Sequence, residues 1–227
     1  MKTIISDFDD TFYTDHYKKN IKLIKKFIKH DNKFVIATGR NINNLKKDLE
    51  YRKIDISYYI CNDGGTIYDH KFNLLKNTII SKTSLIGLVK ILQKSPYVDD
   101  IMLDANGIMV DDFKYQISTV IVKPNNKEEA YKLLQKITHK YNDIRGYLTY
   151  NWLILIPRDV SKKTAIKYLE LIGNLNKESI YTIGDSENDK EMLEGYIGFK
   201  VGNKPFDINS TYKVSSFEEA MTIIKNL

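Results

Sequence analysis

The sequence has 227 residues, 42% of them hydrophobic and 28% charged, a make-up that fits a soluble globular protein and excludes a disordered or collagen-like one. Its net charge of +6 attracts anions only mildly, and a single cysteine rules out a disulfide within the chain. No apolar run approaches membrane-spanning length, and the opening "MKTIISDFDD" is too short in apolar residues for a signal peptide, so a cytoplasmic protein is expected.

"KTIIS" reads as a short buried strand that runs straight into "DFDDT". Residues two apart on a strand share a face, which predicts Asp7 and Asp9 within a few ångströms of each other. Two carboxylates about 4 Å apart repel by roughly 4 kcal/mol at an effective dielectric near 20. Folding alone gives no reason to accept that, so a proton, a cation or both must lie between them. Next comes "HYKKNIKLIKKFIKHDNK", with a helix expected from Tyr17 to about His30. Ile21, Leu23, Ile24, Phe27 and Ile28 form its apolar face and the lysines a solvated one, rather than a nucleic-acid patch.

"KFVIAT" is a second strand, "NINNLKKDLEYR" a second helix and "ISYYIC" a third strand that buries Cys61. The middle breaks this alternation. A helix is followed by "VDDIMLDANGIMVDD", a hairpin turning at Asn106-Gly107, then a strand "ISTVIVK", a helix "NKEEAYKLLQKITHKY" and a second hairpin-like pair, "IRGYLTY" with "WLILIP". From "KKTAIKYLELIG" onward helix and strand alternate again, through "SIYTIG", "DKEMLEG" and "IGFKVG" to a last helix in "SSFEEAMTIIKNL". Ser216 and Glu219 form its expected capping box. The fold class is therefore α/β: a Rossmann-like parallel sheet core with helices on both faces, plus a small inserted α+β cap domain. The core is expected from residues 1–82 and 158–227, the cap from 83–157.

The expected core strands end in Asp7, Thr38, the run Asn62-Asp63-Gly64-Gly65, Asp185 and Asn203. Ligands of open α/β sheets bind outside the carboxyl ends of the strands, so these residues are expected to converge on one pocket. Asp7, Asp9, Asp185 and Asp189 would make a cluster too negative to leave empty, and its hard oxygen donors suit Mg²⁺. Thr38 precedes a helix, where backbone N–H groups suit a phosphate. Lys162 and Lys163 sit in a first helical turn, where the helix dipole disfavours a cation by about 0.3–1 kcal/mol unless an anion lies near.

With these parts in place the chain resembles a phosphohydrolase of the haloacid dehalogenase-like superfamily, in the Cof-like subclass with a type IIB cap, over nearly its whole length. "DFDDT" is similar to the first family motif, D-x-D-x-T. "ATGR" is similar to the second, "SKKTA" to the third and "GDSENDKEML" to the fourth, G-D-x-x-N-D. Two departures stand out: Asp63 precedes the glycine pair in "NDGG", and Lys163 stands where the family often has Gly, so either lysine could be the family's, Lys162 in preference.

The resemblance implies a Mg²⁺-dependent phosphatase acting on a small phosphorylated metabolite, a sugar phosphate or similar monoester. Asp7 would be the nucleophile and Asp9 the general acid and base. Thr38, Gly39 and Lys162 would bind phosphate, and Asp7, the backbone carbonyl of Asp9 and Asp185 would hold the metal, supported by Asn188 and Asp189. Trp152, Tyr147 and Tyr150 either line the substrate side of the cap or pack its core. A phosphomutase of the same fold and a non-enzymatic phosphoacceptor are the alternatives. The expected partner is a small-molecule phosphate ester, with no nucleic acid and no membrane, for a monomer or homodimer.

Overall fold

The computed structural model describes residues 1–49 and 54–227. In chain order the first elements are β1 (Thr3–Ser6), α1 (Tyr17–Ile28), β2 (Lys33–Ala37), α2 (Ile42–Leu49), β3 (Tyr58–Cys61), β4 (Thr66–Asp69) and β5 (Leu74–Asn77). There follow α3 (Lys82–Gln93), β6 (Val98–Ala105), β7 (Ile108–Val110), β8 (Thr119–Pro124), α4 (Lys127–Lys140), β9 (Ile144–Thr149) and β10 (Trp152–Pro157). The chain closes with α5 (Lys162–Leu171), β11 (Ile180–Gly184), α6 (Lys190–Gly195), β12 (Ile197–Val201), β13 (Tyr212–Val214) and α7 (Phe217–Asn226). The expected end of the second helix, residues 50–52, lies outside the described residues.

An eight-stranded sheet runs in the order β13-β12-β11-β1-β2-β3-β4-β5. From β13 to β3 every pairing is parallel, and β4 and β5 add an antiparallel edge. The alternation of β1 puts Ile4 and Ile5 on opposite faces. Ile4 packs with Ile24 and Phe27 of α1, Leu45 of α2 and Phe217, Ala220 and Met221 of α7. Ile5 packs with Ala165, Ile166 and Leu169 of α5 and Met192 and Leu193 of α6. Helices thus cover both faces, as a parallel sheet requires, and each buried Ile or Leu contributes about 1.5–3 kcal/mol. Cys61 lies in the first of these layers, and burial pushes its thiol well above the usual range.

The β4–β5 edge was not among the expected strands. Leu74 is exposed and the other three residues of β5 are only half-buried, so β5 carries little hydrophobic pattern and owes its place to β4. At the last helix, Ser216 accepts from the Glu219 N–H at 3.2 Å, but the Glu219 carboxylate accepts from the N–H and hydroxyl of Ser215. Half of the expected capping box is present, and the return bond is made one residue earlier.

The middle of the chain forms a second, five-stranded sheet, β7-β6-β8-β10-β9, antiparallel throughout. Leu85, Leu88 and Leu92 of α3 and Ile137 of α4 pack with Leu103, Val120, Val122, Leu153 and Leu155 of its strands. The first hairpin turns at Asn106 and Gly107, with φ of 55° and 88°, the two positive dihedrals that an Asn-Gly turn supplies at low cost. Among the described residues no helix is long and apolar enough to cross a membrane.

Candidate active site

The sheet order reverses at β1, whose neighbours are β2 on one side and β11 on the other. Asp7 follows β1, Thr38 follows β2, Asn62 to Gly65 follow β3, Asp185 follows β11 and Asn203 lies just beyond β12. All stand at the carboxyl ends of parallel strands, and Asp7 and Asp185 flank the switch point where such sheets bind ligands.

Strand β1 ends at Ser6, and the chain then curls: the Tyr13 N–H reaches the Phe8 carbonyl at 2.6 Å, with Asp10 at φ 56°. Phe8 and Phe12 are both fully buried and anchor this loop, leaving its polar residues to face elsewhere. Asp7 is buried, and the Thr11 hydroxyl donates to Asp185 Oδ1 at 2.9 Å. Asp9 is half-exposed, and Arg40 grips its carboxylate from Nε at 2.7 Å and from Nη2 at 2.6 Å. Asp9 thus belongs to the loop after β1, not to the strand whose alternation was to set its side. The carboxylates acting on Asp7 are those of Asp189 and Asp185.

Lys162 is the first residue of α5, below a reciprocal cap in which Ser161 and Thr164 exchange side-chain bonds. Its side chain is among the largest that are fully buried. Nζ donates to Asp7 Oδ1 and to Asp189 Oδ1, each at 2.6 Å. Those two carboxylates offset the helix dipole that disfavours a cation in a first turn. Burial acts to lower the ammonium, but Asp189 and Asp7 outweigh it and hold Lys162 well above its usual value. Burial likewise pushes the Asp7 carboxyl well up, Lys162 pulls against it, and Asp189 and Asp185 push further in the same direction. Lys163 does not share this site; its side chain lies over Gly195.

Asp189 is fully buried, and its second oxygen, Oδ2, accepts from the N–H groups of Asp185 and Ser186. Asn188 donates to Asp63 Oδ1 at 3.0 Å, and the Tyr147 hydroxyl of β9 donates to Asp63 Oδ2. Asn62 and Asp63 both take left-handed backbone, φ 50° and 54°, which Asn and Asp tolerate better than other side chains. Thr38 is buried, its Oγ1 accepts from the Arg40 N–H at 3.1 Å, and its carbonyl accepts from the Asp63 N–H at 3.0 Å. A Cβ on Gly39 would stand 3.3 Å from both Asp63 oxygens. The loops after β2 and β3 are thus one unit.

Gly64 locks that unit to the lysine helix. Its φ is +104°, and a Cβ there would lie 2.2 Å from the Ser161 carbonyl. Gly64→Ala is expected to cost about 3 kcal/mol or more, from strain and overpacking together, and to lower turnover by displacing Lys162. Urea unfolding measures the first effect; a loss below about 1 kcal/mol would show that the approach is slack.

The second sheet meets the core here as well. Asn41 and Asn62 donate to the buried Asp104 of β6, and the Asn43 side chain donates to the Gly107 carbonyl. Tyr150 reaches Asp10 at 3.2 Å, and Arg145 pairs with Glu191 at 2.8 Å. Tyr147 and Tyr150 therefore both contact the core, whereas Trp152 closes the β9–β10 hairpin opposite Thr149. Sequence reasoning left out Arg40 and overlooked Lys204, whose Nζ pairs with Asp185 Oδ2 and, at 3.0 Å, with Asp10 Oδ2. Its signal was available, since Lys204 lies three residues beyond the end of β12, on the edge already crowded with carboxylates.

Oxygen atoms of Asp7, Asp185 and Asp189, one from each, lie within 4.8 Å of one another, and all three residues are buried. Against these three carboxylates stands one buried ammonium, Lys162. An all-oxygen, net negative donor set of this kind fits a hard divalent cation such as Mg²⁺, and a metal's own charge would reverse the upward push on Asp7.

The sequence pattern of the haloacid dehalogenase-like hydrolases matches residues 4–145 and 111–213 of the chain. A protein of Buchnera aphidicola named as a candidate phosphatase is 25% identical over 225 residues, covering 84% of this chain and 82% of that protein. A phosphoglycolate phosphatase of Archaeoglobus fulgidus is 26% identical over 197 residues, covering 85% of this chain and 79% of its own. Among solved structures, a haloacid dehalogenase-like hydrolase from B. subtilis superposes with a TM-score of 0.85 at 18% identity, over 100% of both chains. A subclass IIB sugar phosphatase, BT4131, does so with a TM-score of 0.78 at 17% identity, over 100% of this chain and 98% of its own. The expected α/β core with an inserted α+β unit is the fold these neighbours share, and the chain belongs to the haloacid dehalogenase-like hydrolases.

Proposed function

We propose that this hydrolase is a Mg²⁺-dependent phosphatase that hydrolyses a small phosphorylated metabolite, a sugar phosphate or similar monoester, through an aspartyl-phosphate on Asp7. The observation that carries this reading is the buried Asp7 at the head of the central strand, gripped by Lys162 at 2.6 Å with Asp185 and Asp189 beside it. The names of the two relatives and of the sugar phosphatase neighbour support phosphate monoesters as the substrate class. Residues 83–157 would act as a cap over a core made of 1–82 and 158–227. The bonds from Asp104, Tyr147 and Tyr150 to core residues support that division. A cytoplasmic site of action goes with such a substrate.

In this reading a carboxylate oxygen of Asp7 attacks phosphorus while the ester oxygen leaves with a proton from Asp9. Splitting the reaction in this way replaces one very slow hydrolysis by two easier steps. Asp9 then removes a proton from water, which attacks the aspartyl-phosphate, breaks the bond to Asp7 and frees inorganic phosphate. For the first step Asp9 must leave Arg40, whose Nε and Nη2 can then pair with an incoming phosphate oxygen while Nη1 stays on Asp48. Thr38, Gly39 and Lys162 orient the phosphoryl oxygens, and Lys162 also fixes the Asp7 carboxylate, its own position held by Asp189. Asn188 holds Asp63, which ties the loops after β2 and β3 to Tyr147 of the cap. Asp7, the backbone carbonyl of Asp9 and Asp185 would hold Mg²⁺, which when bound supplies charge neutralisation at the phosphoryl group.

Phosphate release from para-nitrophenyl phosphate and a panel of sugar phosphates tests this reading. Turnover is expected with Mg²⁺, to fall by roughly 100-fold or more in EDTA and to return when Mg²⁺ is restored. Release unaffected by EDTA would exclude the metal, and transfer to a second position of the sugar without release would make the chain a mutase.

A further inference from the structure

Both carboxylate oxygens of Asp185 already hold a donor. Thr11 donates to Oδ1 at 2.9 Å and Lys204 takes Oδ2. Each oxygen keeps a second lone pair, but a divalent cation on Oδ2 meets the Lys204 ammonium already there and the two positive charges repel. Thr11 is buried in the loop anchored by Phe8 and Phe12, and its neutral hydroxyl is not repelled by a cation on the other oxygen. Lys204 is placed differently. Its side chain is 50% exposed, against 1% for Lys162, and it belongs to an irregular segment between β12 and β13.

The backbone of that segment is pinned while the side chain is not. The Lys204 carbonyl accepts from the Lys200 ammonium at 2.7 Å, and Lys200 is largely buried. The Lys204 ammonium can swing without refolding its loop, and Asp10, its second partner at 3.0 Å, keeps it paired when it leaves Asp185. A monovalent ammonium and a divalent cation then compete for the same oxygen.

We propose that Lys204 is a tethered cation that occupies Asp185 until a divalent metal displaces it, so that metal binding and release of Lys204 are one equilibrium. Lys204 is here a positioning residue: it holds the Asp185 carboxylate in the metal-free protein and sets how much Mg²⁺ is needed to load the site. The coupling is reciprocal, so the factor by which Lys204 weakens the metal equals the factor by which the metal loosens Lys204. The inference rests on the reading of Asp185 as a metal ligand.

Calorimetric titration of Mg²⁺ into metal-free protein tests it, with Lys204→Met, Lys204→Arg and the parent compared. Lys204→Met is expected to bind Mg²⁺ about five- to tenfold more tightly, and Lys204→Arg, which keeps the cation, to stay near the parent. In parallel, acylation of Lys204 by an amine-reactive ester, followed by mass spectrometry, should speed up several-fold when Mg²⁺ is added to the parent. Equal or weaker Mg²⁺ affinity in Lys204→Met, with phosphatase activity still Mg²⁺-dependent, overturns the role of Lys204 and leaves the phosphatase reading standing. Absence of Mg²⁺ binding by every variant overturns both.

Discussion

Replacing Lys162 with methionine is expected to remove about 3–5 kcal/mol of unfolding free energy and to abolish turnover. Methionine fills a similar volume, so packing changes little. What changes is that Asp7 and Asp189, both bonded to Nζ at 2.6 Å, are left as buried carboxylates with no cation between them. Removing one partner of a buried ion pair costs far more than the pair was worth, because the remaining charge keeps its full desolvation penalty. The pH dependence has a definite sign. Burial raises the folded-state Asp7 carboxyl well above its usual 3.8, and loss of the ammonium raises it further. Between that raised value and about 4 the folded chain binds more protons than the unfolded one, so stability falls as pH rises. The deficit of Lys162→Met should therefore be largest near neutral pH and shrink on acidification toward the usual carboxyl range. Urea unfolding at several pH values measures it; a variant within about 1 kcal/mol of the parent at neutral pH would mean that the buried charges find other partners.

Asp7→Asn should separate function from stability. The carboxylate that would attack phosphorus becomes an amide, and turnover is expected to fall by roughly 10⁴-fold or more, in the range seen when a nucleophile is removed elsewhere. Stability should change by less than about 1 kcal/mol, because the upward push on Asp7 marks its charge as costly to bury. Lys162 keeps Asp189 as partner in this variant. Phosphate release and urea unfolding on one preparation check both halves. Turnover within tenfold of the parent would remove Asp7 from the chemistry.

Local patterns in the sequence carried the parallel core, the Asn106-Gly107 hairpin and the placement of polar residues at strand ends. Each depends on residues within a few positions of one another: alternating apolar residues, a turn dipeptide, a carboxylate after a strand. The pairings inside the site depend on the tertiary arrangement instead. Lys162 meets Asp7 across 155 positions and Tyr147 meets Asp63 across 84, and no periodicity encodes such contacts. The expected closeness of Asp7 to Asp9 was argued from strand alternation, whereas β1 ends at Ser6 and Asp9 lies in the loop that Phe8 and Phe12 anchor. Lys163 and Lys162 look alike in sequence; only the rotation of α5 turns one into the carboxylate cluster and the other toward Gly195. Lys204 was legible by its place just past β12, but its partners were not, because Asp10 and Asp185 lie 194 and 19 positions away.

The central place of β1 also orders events during synthesis on the ribosome. One neighbour, β2, follows within a single helix, but the other, β11, pairs Ile180 with Thr3. At roughly 5–20 residues per second the far edge of β1 waits tens of seconds for its partner, exposing backbone groups that invite stray pairing. The five-stranded sheet has emerged in full before that, and its strand pairings are confined to its own segment. Asp7 and Asp185 can meet only after β11 arrives, so the nascent chain completes its second sheet before these two carboxylates come together.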